Sequence, residues 1–404
     1  MFKRILIANR GEIAVRIIRA CQELDIETVA VYSDVDAEAL HVQLADYAYN
    51  IGPADAMKSY LNMDAIIMAA KASKAEAIHP GYGFLSENAD FAEKVTKAGL
   101  IFIGPSAEII RQVGNKDAAR AAMKAAGLPM TIGSEPIVNN EHACNLASEI
   151  GYPVILKPVS GGGGKSMYVA NNQLELISAL NKVDVTRSPF YLETYISEAR
   201  HIEVQIMADT YGNVLHVGER ECSIQRRNQK VLEESPSSAL TPEMRTTVGA
   251  MAIRAAKSIY YTNVGTVEFL LDVKTGKFYF MEINPRIQVE HAVTEMVTGG
   301  GPRVRVDSGV CAGMTVQPHY DSMVAKVIAH GRTRGDAIKI MRRALAEYRI
   351  SGIKTNISFQ QEILNNPHFC SGNIDTQFVY KRMTPIQEAE CEIDNENKKY
   401  YSQG

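Results

Sequence analysis

The chain has no large charge excess, no paired-cysteine motif and no long apolar run, and each absence narrows its class. Its net charge is -3 over 404 residues, so nothing favours nucleic acid or an anionic membrane as a partner. No apolar stretch approaches the length of a membrane-spanning helix, and the N-terminus enters a strand without a signal-peptide core. The six cysteines are scattered without a CxxC pair, which predicts a reduced, cytoplasmic protein without disulfides or a zinc site.

What is present predicts a globular chain of two or three domains, because 404 residues exceed one typical domain. A strand at 4–8, a helical stripe over 12–24 and a strand at 27–32 form a βαβ unit, which predicts a parallel sheet. The turn within this unit lacks GxGxxG, so a dinucleotide site is not predicted. The predicted divisions are an N-terminal domain, a central domain containing a mobile lid at about 131–203, a shortened C-terminal domain and a polar tail, at 1–113, 114–298, 299–383 and 384–404.

Four glycines at 161–164 follow an apolar strand that ends near Lys157. They do not form a P-loop, because Val159 stands where that motif needs its first glycine and the residues after Ser166 are strand-like rather than helical. The glycines therefore predict a lid between two strands, whose bare N–H groups close over a polyphosphate near the fixed cation Lys157. A flexible surface loop is the alternative, but the entropy lost on ordering four glycines favours the phosphate-binding lid.

Two other polar segments each have two interpretations. The glycine-rich stretch 77–86 forms a strand-to-helix turn, where simple turn chemistry and a substrate-lining loop are about equally favoured. The stretch 225–230 is dense in side-chain donors, and for Arg226 and Arg227 a solvated basic face competes with a binding role.

Two glutamates are predicted to face each other in a hairpin. If the turn between the two apolar strands centres on Thr275, Glu268 lies opposite Glu282, and Asn284 falls on the same face. Opposed like charges destabilise a sheet, so either one carboxylate is protonated or exposed, or a divalent cation bridges the two. Two carboxylates and an amide oxygen suit Mg²⁺ shared with substrate phosphates, and the apolar flanks of both strands favour this second explanation.

The residues after this hairpin predict an anion site. Arg286 offers a planar fork of donors that matches bicarbonate or a carboxylate, and Glu290 is a candidate general base beside it. A polyphosphate lid, a carboxylate metal site and an anion fork together indicate an ATP-using ligase that activates a carboxylate as an acyl phosphate.

The chain resembles the biotin carboxylase family of the ATP-grasp superfamily, and the carboxylase subunits of acetyl-CoA and pyruvate carboxylases in particular. The matching segments run nearly from end to end: Lys3–Arg16, His79–Asn88, Lys157 with the glycines 161–164, Arg200–Gln205, Glu219–Lys230, Met281–His291 and Tyr320–Lys326. The resemblance implies an α/β (α+β) ATP-grasp fold with a Rossmann-like N-terminal parallel sheet, a small lid domain and an antiparallel C-terminal domain.

The resemblance also implies the reaction and its participants. ATP, with Mg²⁺ or Mn²⁺, phosphorylates bicarbonate to carboxyphosphate, and the CO₂ released is captured by N1 of biotin on a separate carrier protein. No Ala-Met-Lys-Met site is present, so biotin must arrive on another chain. The implied partners are a biotin carboxyl carrier protein and a carboxyltransferase subunit, and the family suggests a homodimer.

Each matching position carries an implied role. The nucleotide-binding residues would be Lys116, Lys157, Gly162, Gly163, Gly164, Glu193, Ile196, His201, Gln225 and Asn228. The metal ligands would be Glu268, Glu282 and Asn284, and bicarbonate would lie on Arg286, Gln288 and Val289. The catalytic residues would be Arg286, the base Glu290 and Lys230 near the γ-phosphate.

Three departures from the family pattern are visible. Asn228 stands where many members have His, and Ser166 replaces a usual Gly. After Thr298 the chain reads straight into Gly299–Pro302, whereas the family has several dozen more residues, including a Gly-His-Ala-x-Glu-Cys-Arg type motif whose Arg serves the biotin enolate. A natural deletion, an engineered deletion and an omitted segment would each explain the gap.

Two rival functions remain at this stage. An ATP-grasp carboxylate–amine ligase would turn over ATP without stimulation by free biotin. A non-catalytic nucleotide-binding subunit of a carboxylase assembly would release no ADP in response to bicarbonate.

Overall fold

A computed structural model of the chain describes residues 1–159, 167–184, 189–227, 229–295 and 303–383. The predicted lid glycines Gly162, Gly163 and Gly164, together with Ser166, Asn228, the junction 299–302 and the tail 384–404, lie outside the described residues. Within the described ranges, no helix combines the length and the apolar character needed to cross a membrane.

The N-terminal unit is a parallel sheet flanked by helices, as the βαβ pattern predicts. Its sheet has the order β3-β2-β1-β4-β5, and every neighbouring pair is parallel. The apolar stripe of the first helix, which includes Ile13 and Ile17, packs against this sheet. Its elements are β1 Arg4–Ile7, α1 Gly11–Glu23, β2 Glu27–Tyr32, α2 Leu40–Leu44, β3 Tyr47–Asn50, α3 Met63–Ala72, β4 Ala77–His79, α4 Ala89–Lys97, β5 Ile101–Phe102 and α5 Ala107–Gly114.

A second, small unit follows the helix α6, Lys116–Ala125. It contains α7 Asn140–Ile150, β6 Val154–Pro158, β7 Tyr168–Ala170, α8 Gln173–Leu180 and β8 Phe190–Thr194. The strands form an antiparallel sheet in the order β7-β6-β8, with a core of its own around Leu156 and Leu192. The strands β6 and β7 therefore flank the glycine run on both sides, as the sequence predicts.

The central sheet is antiparallel and carries much of the site. Its strands lie in the order β11-β10-β9-β12-β13, so β9 is hydrogen-bonded to both β10 and β12. The helix α9 covers one face and packs the buried Ala252 and Ala255 against Ile202 and Val267. The elements are β9 Ala199–Ala208, β10 Val214–Arg226, β11 Gln229–Glu234, α9 Pro242–Ser258, β12 Asn263–Asp272, β13 Phe278–Asn284 and α10 His291–Glu295.

The C-terminal unit has an antiparallel pair of strands followed by helices. A two-stranded sheet is marginal by itself in water. It packs here against the helix that follows it, and the core of this unit includes Ile224 from the central sheet. The elements are β14 Val304–Ser308, β15 Ala325–Ala329, α11 Arg334–Glu347, α12 Ile357–Asn365, α13 Pro367–Cys370 and α14 Phe378–Arg382.

Candidate functional site

A cleft of about 3680 Å³ lies between the N-terminal, lid, central and C-terminal units. This volume exceeds the usual 300–1,000 Å³ of a small-molecule pocket, so there is room for more than one substrate. Every sequence-predicted site residue that the structure describes lines this cleft: Lys116, Lys157, Glu193, Ile196, His201, Gln225, Lys230, Glu268, Glu282, Asn284, Arg286, Gln288, Val289 and Glu290. The remaining predicted positions, Gly162, Gly163, Gly164 and Asn228, fall outside the described residues.

The two glutamates of the predicted hairpin are cross-strand partners. Glu268 on β12 pairs with Glu282 on β13, and Asn284 pairs with Thr266, which confirms the predicted pairing of the glutamates. The pairs nearer the turn are shifted by one residue from the predicted register, because a β-bulge lies between Glu268 and Phe269. Glu268 is buried, whereas Glu282 is exposed to the cleft. The amide of Asn284 donates a 2.9 Å hydrogen bond to Glu268 Oε1, so the three oxygen-bearing side chains lie together at one edge of the sheet.

Their pKa values are displaced in opposite directions. Burial alone would raise the pKa of Glu268, but His201 and Lys230 hold it well below its ordinary value. Although Glu282 opens to the cleft, the surrounding protein partly desolvates its carboxylate, and this desolvation together with the charge of Glu268 raises its pKa. A divalent cation between the two would relieve this repulsion, so the residues present fit a magnesium site.

The described residues contain two other groups of three side chains that could hold a metal ion. Within each group the possible ligand atoms lie within 4.8 Å of one another, and all of the residues are buried. One contains His201, Glu203 and Glu268, and the other contains Glu203, Cys222 and Glu290. Both groups already enclose side-chain cations, because Lys230 contacts all three glutamates and Arg220 contacts Glu203. Glu268 and Glu282, which both line the cleft, therefore remain the candidate metal ligands.

Lys230 is the electrostatic centre of the site. Its ammonium lies 3.0 Å from Glu268 and 2.6 Å from Glu290, and it also donates to Glu203. These carboxylates outweigh the effect of burial and raise the pKa of Lys230 far above its ordinary value. One fixed cation thus connects a predicted metal ligand to the predicted base. Its side chain is partly open to the cleft, where phosphate could approach.

Arg220 was given no role by the sequence, yet it lies directly beneath this centre. It is fully buried and pairs with the equally buried Glu203. It also donates to Gln205 at 2.8 Å and to Thr294 at 3.0 Å. The signal in the sequence was weak: Arg220 lies in the matching segment 219–230, but a single Arg in a strand does not reveal what it faces.

Lys157 on β6 and Glu193 on β8 form a second ion pair, with a separation of 2.7 Å. The other oxygen of Glu193 accepts from Thr131 and lies 3.4 Å from Arg120. Burial alone would raise the pKa of Glu193, but Lys157 and the neighbouring donors lower it. Arg120, which the sequence did not single out, lies one turn after Lys116 on α6, and both residues line the cleft.

His201 connects Gln225, a predicted nucleotide-binding residue, to Glu268, a predicted metal ligand. Its Nε2 lies 2.9 Å from Glu268 Oε2, and its Nδ1 lies 2.9 Å from the amide of Gln225. Burial favours the neutral ring, but the carboxylate of Glu268 raises the pKa of His201 above its ordinary value. These contacts place His201 and Gln225, two predicted nucleotide-site residues, in one hydrogen-bonded chain.

The loop after β13 carries the predicted anion site. Gln288 is buried and donates at 3.0 Å to Glu268, and Glu290 points at Lys230. Arg286 lies 3.1 Å from Glu87, on the turn that precedes α4. Burial would raise the pKa of Glu290, but Lys230 and Arg220 lower it, so the carboxylate is ionised at neutral pH. The loop thus brings together a guanidinium, an amide and an ionised carboxylate.

Comparison with solved structures first gives the class. The chain superposes on the biotin carboxylase–βγ-ATP complex from Campylobacter jejuni with a TM-score of 0.88 and 40% identity, covering 95% of this chain and 99% of that one. It superposes on the biotin carboxylase domain dimer of the Hydrogenobacter thermophilus 2-oxoglutarate carboxylase, solved with MgADP, ADP and bicarbonate, with a TM-score of 0.85 and 40% identity, covering 94% and 98%. The protein is an ATP-dependent ligase of the ATP-grasp class.

Sequence comparison then gives the family. Family models match at 1–110 (biotin carboxylase, N-terminal domain), 115–317 (carbamoyl-phosphate synthase L chain, ATP binding domain) and 289–381 (biotin carboxylase C-terminal domain). Biotin carboxylase 1 of Bacillus subtilis is 48% identical over 445 aligned positions, which cover 94% of this chain and 98% of that protein. The chain belongs to the biotin carboxylase family.

The same alignment also concerns the family residues that are missing from this chain after Thr298. Its 445 positions exceed the 404 residues of this chain, so the Bacillus protein has residues without a counterpart here. This agrees with a chain that is shorter than its family.

Proposed function

We propose that this chain carboxylates biotin on a separate carrier protein, using ATP and bicarbonate. ATP transfers its γ-phosphoryl group to a bicarbonate oxygen, which gives ADP and carboxyphosphate. Carboxyphosphate separates into CO₂ and phosphate. N1 of biotin then attacks the CO₂ and transfers its proton to the released phosphate. The observation that carries the proposal is the position of Lys230 between Glu268, a predicted metal ligand, and Glu290, a predicted base, in one cleft.

The metal would be held by Glu268 and Glu282, with Asn284 beside them. Mg²⁺ or Mn²⁺ at this position would neutralise the charge on the phosphate oxygens. The pairing of the two strands places both carboxylates on one face, and the contacts of Glu268 with His201 and Lys230 keep its pKa low.

The nucleotide would lie between the lid and the central sheet. Lys116 and Lys157 would bind its phosphates, and the backbone from Glu193 to Ile196 would contact the adenine. His201 and Gln225 would line the ribose and phosphate side. Gly162, Gly163, Gly164 and Asn228 complete this set as predictions from the sequence alone. Lid closure would exclude water and protect a labile acyl phosphate.

Bicarbonate would bind on the loop after β13. Arg286 would hold the planar anion by its guanidinium fork, together with Gln288 and the backbone of Val289. Glu290 would accept the proton from bicarbonate, and Lys230 would hold that carboxylate in place and stabilise the charge on the transferring phosphoryl group. The contact between Lys230 and Glu290 aligns the base before substrate enters.

The partners would be a biotin carboxyl carrier protein and a carboxyltransferase subunit. The Hydrogenobacter structure is that of a domain dimer, which supports a homodimer for this chain as well. Sedimentation or light scattering of the purified chain would test that assembly.

The decisive experiment measures ADP release from MgATP with and without bicarbonate, and then with added free biotin. We expect bicarbonate to be required and biotin to stimulate turnover, with carboxybiotin formed. Turnover that needs an amine instead of biotin would point to a carboxylate–amine ligase, and an absence of bicarbonate-dependent ADP release would point to a non-catalytic subunit. Glu290→Gln should abolish the bicarbonate response, whereas Glu141→Gln, at an exposed position on α7, should not.

A further inference from the structure

The segment from Tyr320 to Lys326 has no part in the function proposed above, although it is one of the matching segments. Its first residue is fixed to the N-terminal unit: the hydroxyl of Tyr320 donates to Ser33 at 2.7 Å, and its ring lies under the guanidinium of Arg10 at 4.4 Å. Its last residue, Lys326, enters the start of β15 and is largely buried. The segment thus reaches from the C-terminal unit across the N-terminal unit towards the cleft.

The ammonium of Lys326 makes three polar contacts. It donates at 3.0 Å to the backbone carbonyl of Val289 and lies 3.1 Å from Glu12 Oε2. It also lies 3.4 Å from His291 Nε2. Val289 lies in the loop after β13, His291 is the first residue of α10, and Glu12 is in the first turn of α1.

Glu12 extends the chain of contacts to a second loop. Its other carboxylate oxygen accepts from the hydroxyl of Tyr82, and the ring of Tyr82 also faces Lys326 at 5.8 Å. The backbone around Tyr82 is itself fixed, because the amide of Asn9 donates to Pro80 and Tyr82 carbonyls at 2.7 Å each. One buried lysine therefore connects the loop 285–291 to the loop 80–84, and both loops line the cleft.

We infer that Lys326 is a positioning residue that fixes the carbonyl of Val289, and with it the loop bearing Gln288 and Glu290, against the Tyr82 loop through Glu12. This rests on the proposed function, in which that loop binds bicarbonate. The three partners of the Lys326 ammonium, Val289, Glu12 and His291, are not among the predicted nucleotide-binding positions. Replacing Lys326 should therefore weaken the binding of bicarbonate, because a shift of the loop misplaces the anion site without moving the phosphate-binding residues.

The test compares Lys326→Met with Lys326→Arg. Loss of a hydrogen bond from a charged donor should raise the KM for bicarbonate on the order of tenfold, with the KM for MgATP changed by less than about twofold. Lys326→Arg keeps a cation and should restore most of the loss. Lys339→Met, at an exposed position on α11, is the matched control and should resemble the parent.

Lys326→Met also leaves Glu12 buried without its cation, so the double change Glu12→Gln with Lys326→Met is made alongside it. The double variant removes both charges and should recover folding stability while the KM for bicarbonate stays raised. Parallel increases in both KM values, or recovery of the bicarbonate KM in the double variant, would overturn the assignment.

Amide hydrogen exchange supplies a readout that does not need turnover. Lys326→Met should speed exchange in 285–291 and in 80–84 together, with the amides of α9 unchanged. Unchanged exchange in both loops would overturn the positioning role. If the parent chain itself shows no bicarbonate-dependent ADP release, the proposed function fails, while the exchange result still decides whether Lys326 couples the two loops.

Discussion

Lys157 donates a 2.7 Å hydrogen bond to Glu193, so a predicted phosphate-binding cation is held by a buried carboxylate. If Lys157 turns to a phosphate, Glu193 loses its nearest cation. Thr131 and Arg120 remain on its other oxygen. An uncompensated buried carboxylate is costly, so Arg120 should lower the free energy of the nucleotide-bound state.

We therefore predict that Arg120→Ala raises the KM for MgATP by about threefold to thirtyfold, the loss expected for one charge-assisted hydrogen bond, with the KM for bicarbonate little changed. Steady-state ADP release measures both constants. Arg343→Ala removes an exposed arginine on α11 and is the matched control. An unchanged KM for MgATP would mean that Thr131 alone compensates Glu193.

The two opposed glutamates should differ in their effect on stability. Glu282 is exposed and Glu268 is buried with bonds to Lys230, Asn284 and Gln288. Glu282→Gln should raise the Mg²⁺ concentration needed for half-maximal turnover and leave the free energy of unfolding nearly unchanged. Glu268→Gln should abolish turnover and also cost about 1–3 kcal/mol of unfolding free energy. Urea denaturation and a magnesium titration separate the two effects, and equal destabilisation by both changes would contradict this division.

Arg220 is predicted to stabilise the folded chain by neutralising the buried carboxylate of Glu203. Arg220→Met leaves Glu203 buried without this partner and should lower the free energy of unfolding by about 3–5 kcal/mol. Adding Glu203→Gln should recover much of that stability, measured by urea denaturation. Turnover should stay low in the double variant, because Glu203 also accepts from Lys230. A single variant as stable as the parent would show that the pair contributes little.

The contact of Asp36 with Arg10 and Tyr60 gives a prediction for pH. Burial alone would raise the pKa of Asp36, but the hydrogen bonds from Arg10 and Tyr60 hold it below its ordinary value. A pKa lowered by folding stabilises the protein above the unfolded value of about 3.9, and this contribution is lost as the pH falls towards the folded pKa.

Asp36→Asn should therefore lower the free energy of unfolding at pH 7, with the difference from the parent narrowing below about pH 4. Urea denaturation across that range measures it. Asp64→Asn, on an exposed aspartate of α3, should show no such pH dependence. A difference that stays constant down to acid pH would exclude the linkage.

Local features of this chain could be predicted because they depend on neighbours in sequence. The pairing of Glu268 with Glu282 was predictable from one short turn and the two-residue period of a strand, and the structure has that pair. The β-bulge after Glu268, which shifts the pairs nearer the turn by one residue, was not predicted. The strands on both sides of the glycine run follow from short apolar runs. The family followed from whole motifs, and comparison with relatives confirms it.

The contacts that assemble the site could not be predicted in the same way. Lys230 meets Glu290, which is 60 residues further along the chain, and Arg120 meets Glu193 across 73 residues. Arg220 on β10 and Lys230 on β11 reach Glu203 because β9 lies beside β10. Because β12 lies on the other side of β9, Lys230 also contacts Glu268 and Arg220 also donates to Thr266.

The sequence by itself thus determined many of the elements, the pairing of the two glutamates and the family, since propensity, periodicity and motif spacing depend on residues close together in the chain. The tertiary structure decided which charges neutralise one another, including Lys326 with Glu12 and Lys157 with Glu193. The physical reason is that strand order and domain packing bring these side chains together, and a buried charge is tolerated where that packing supplies its partner.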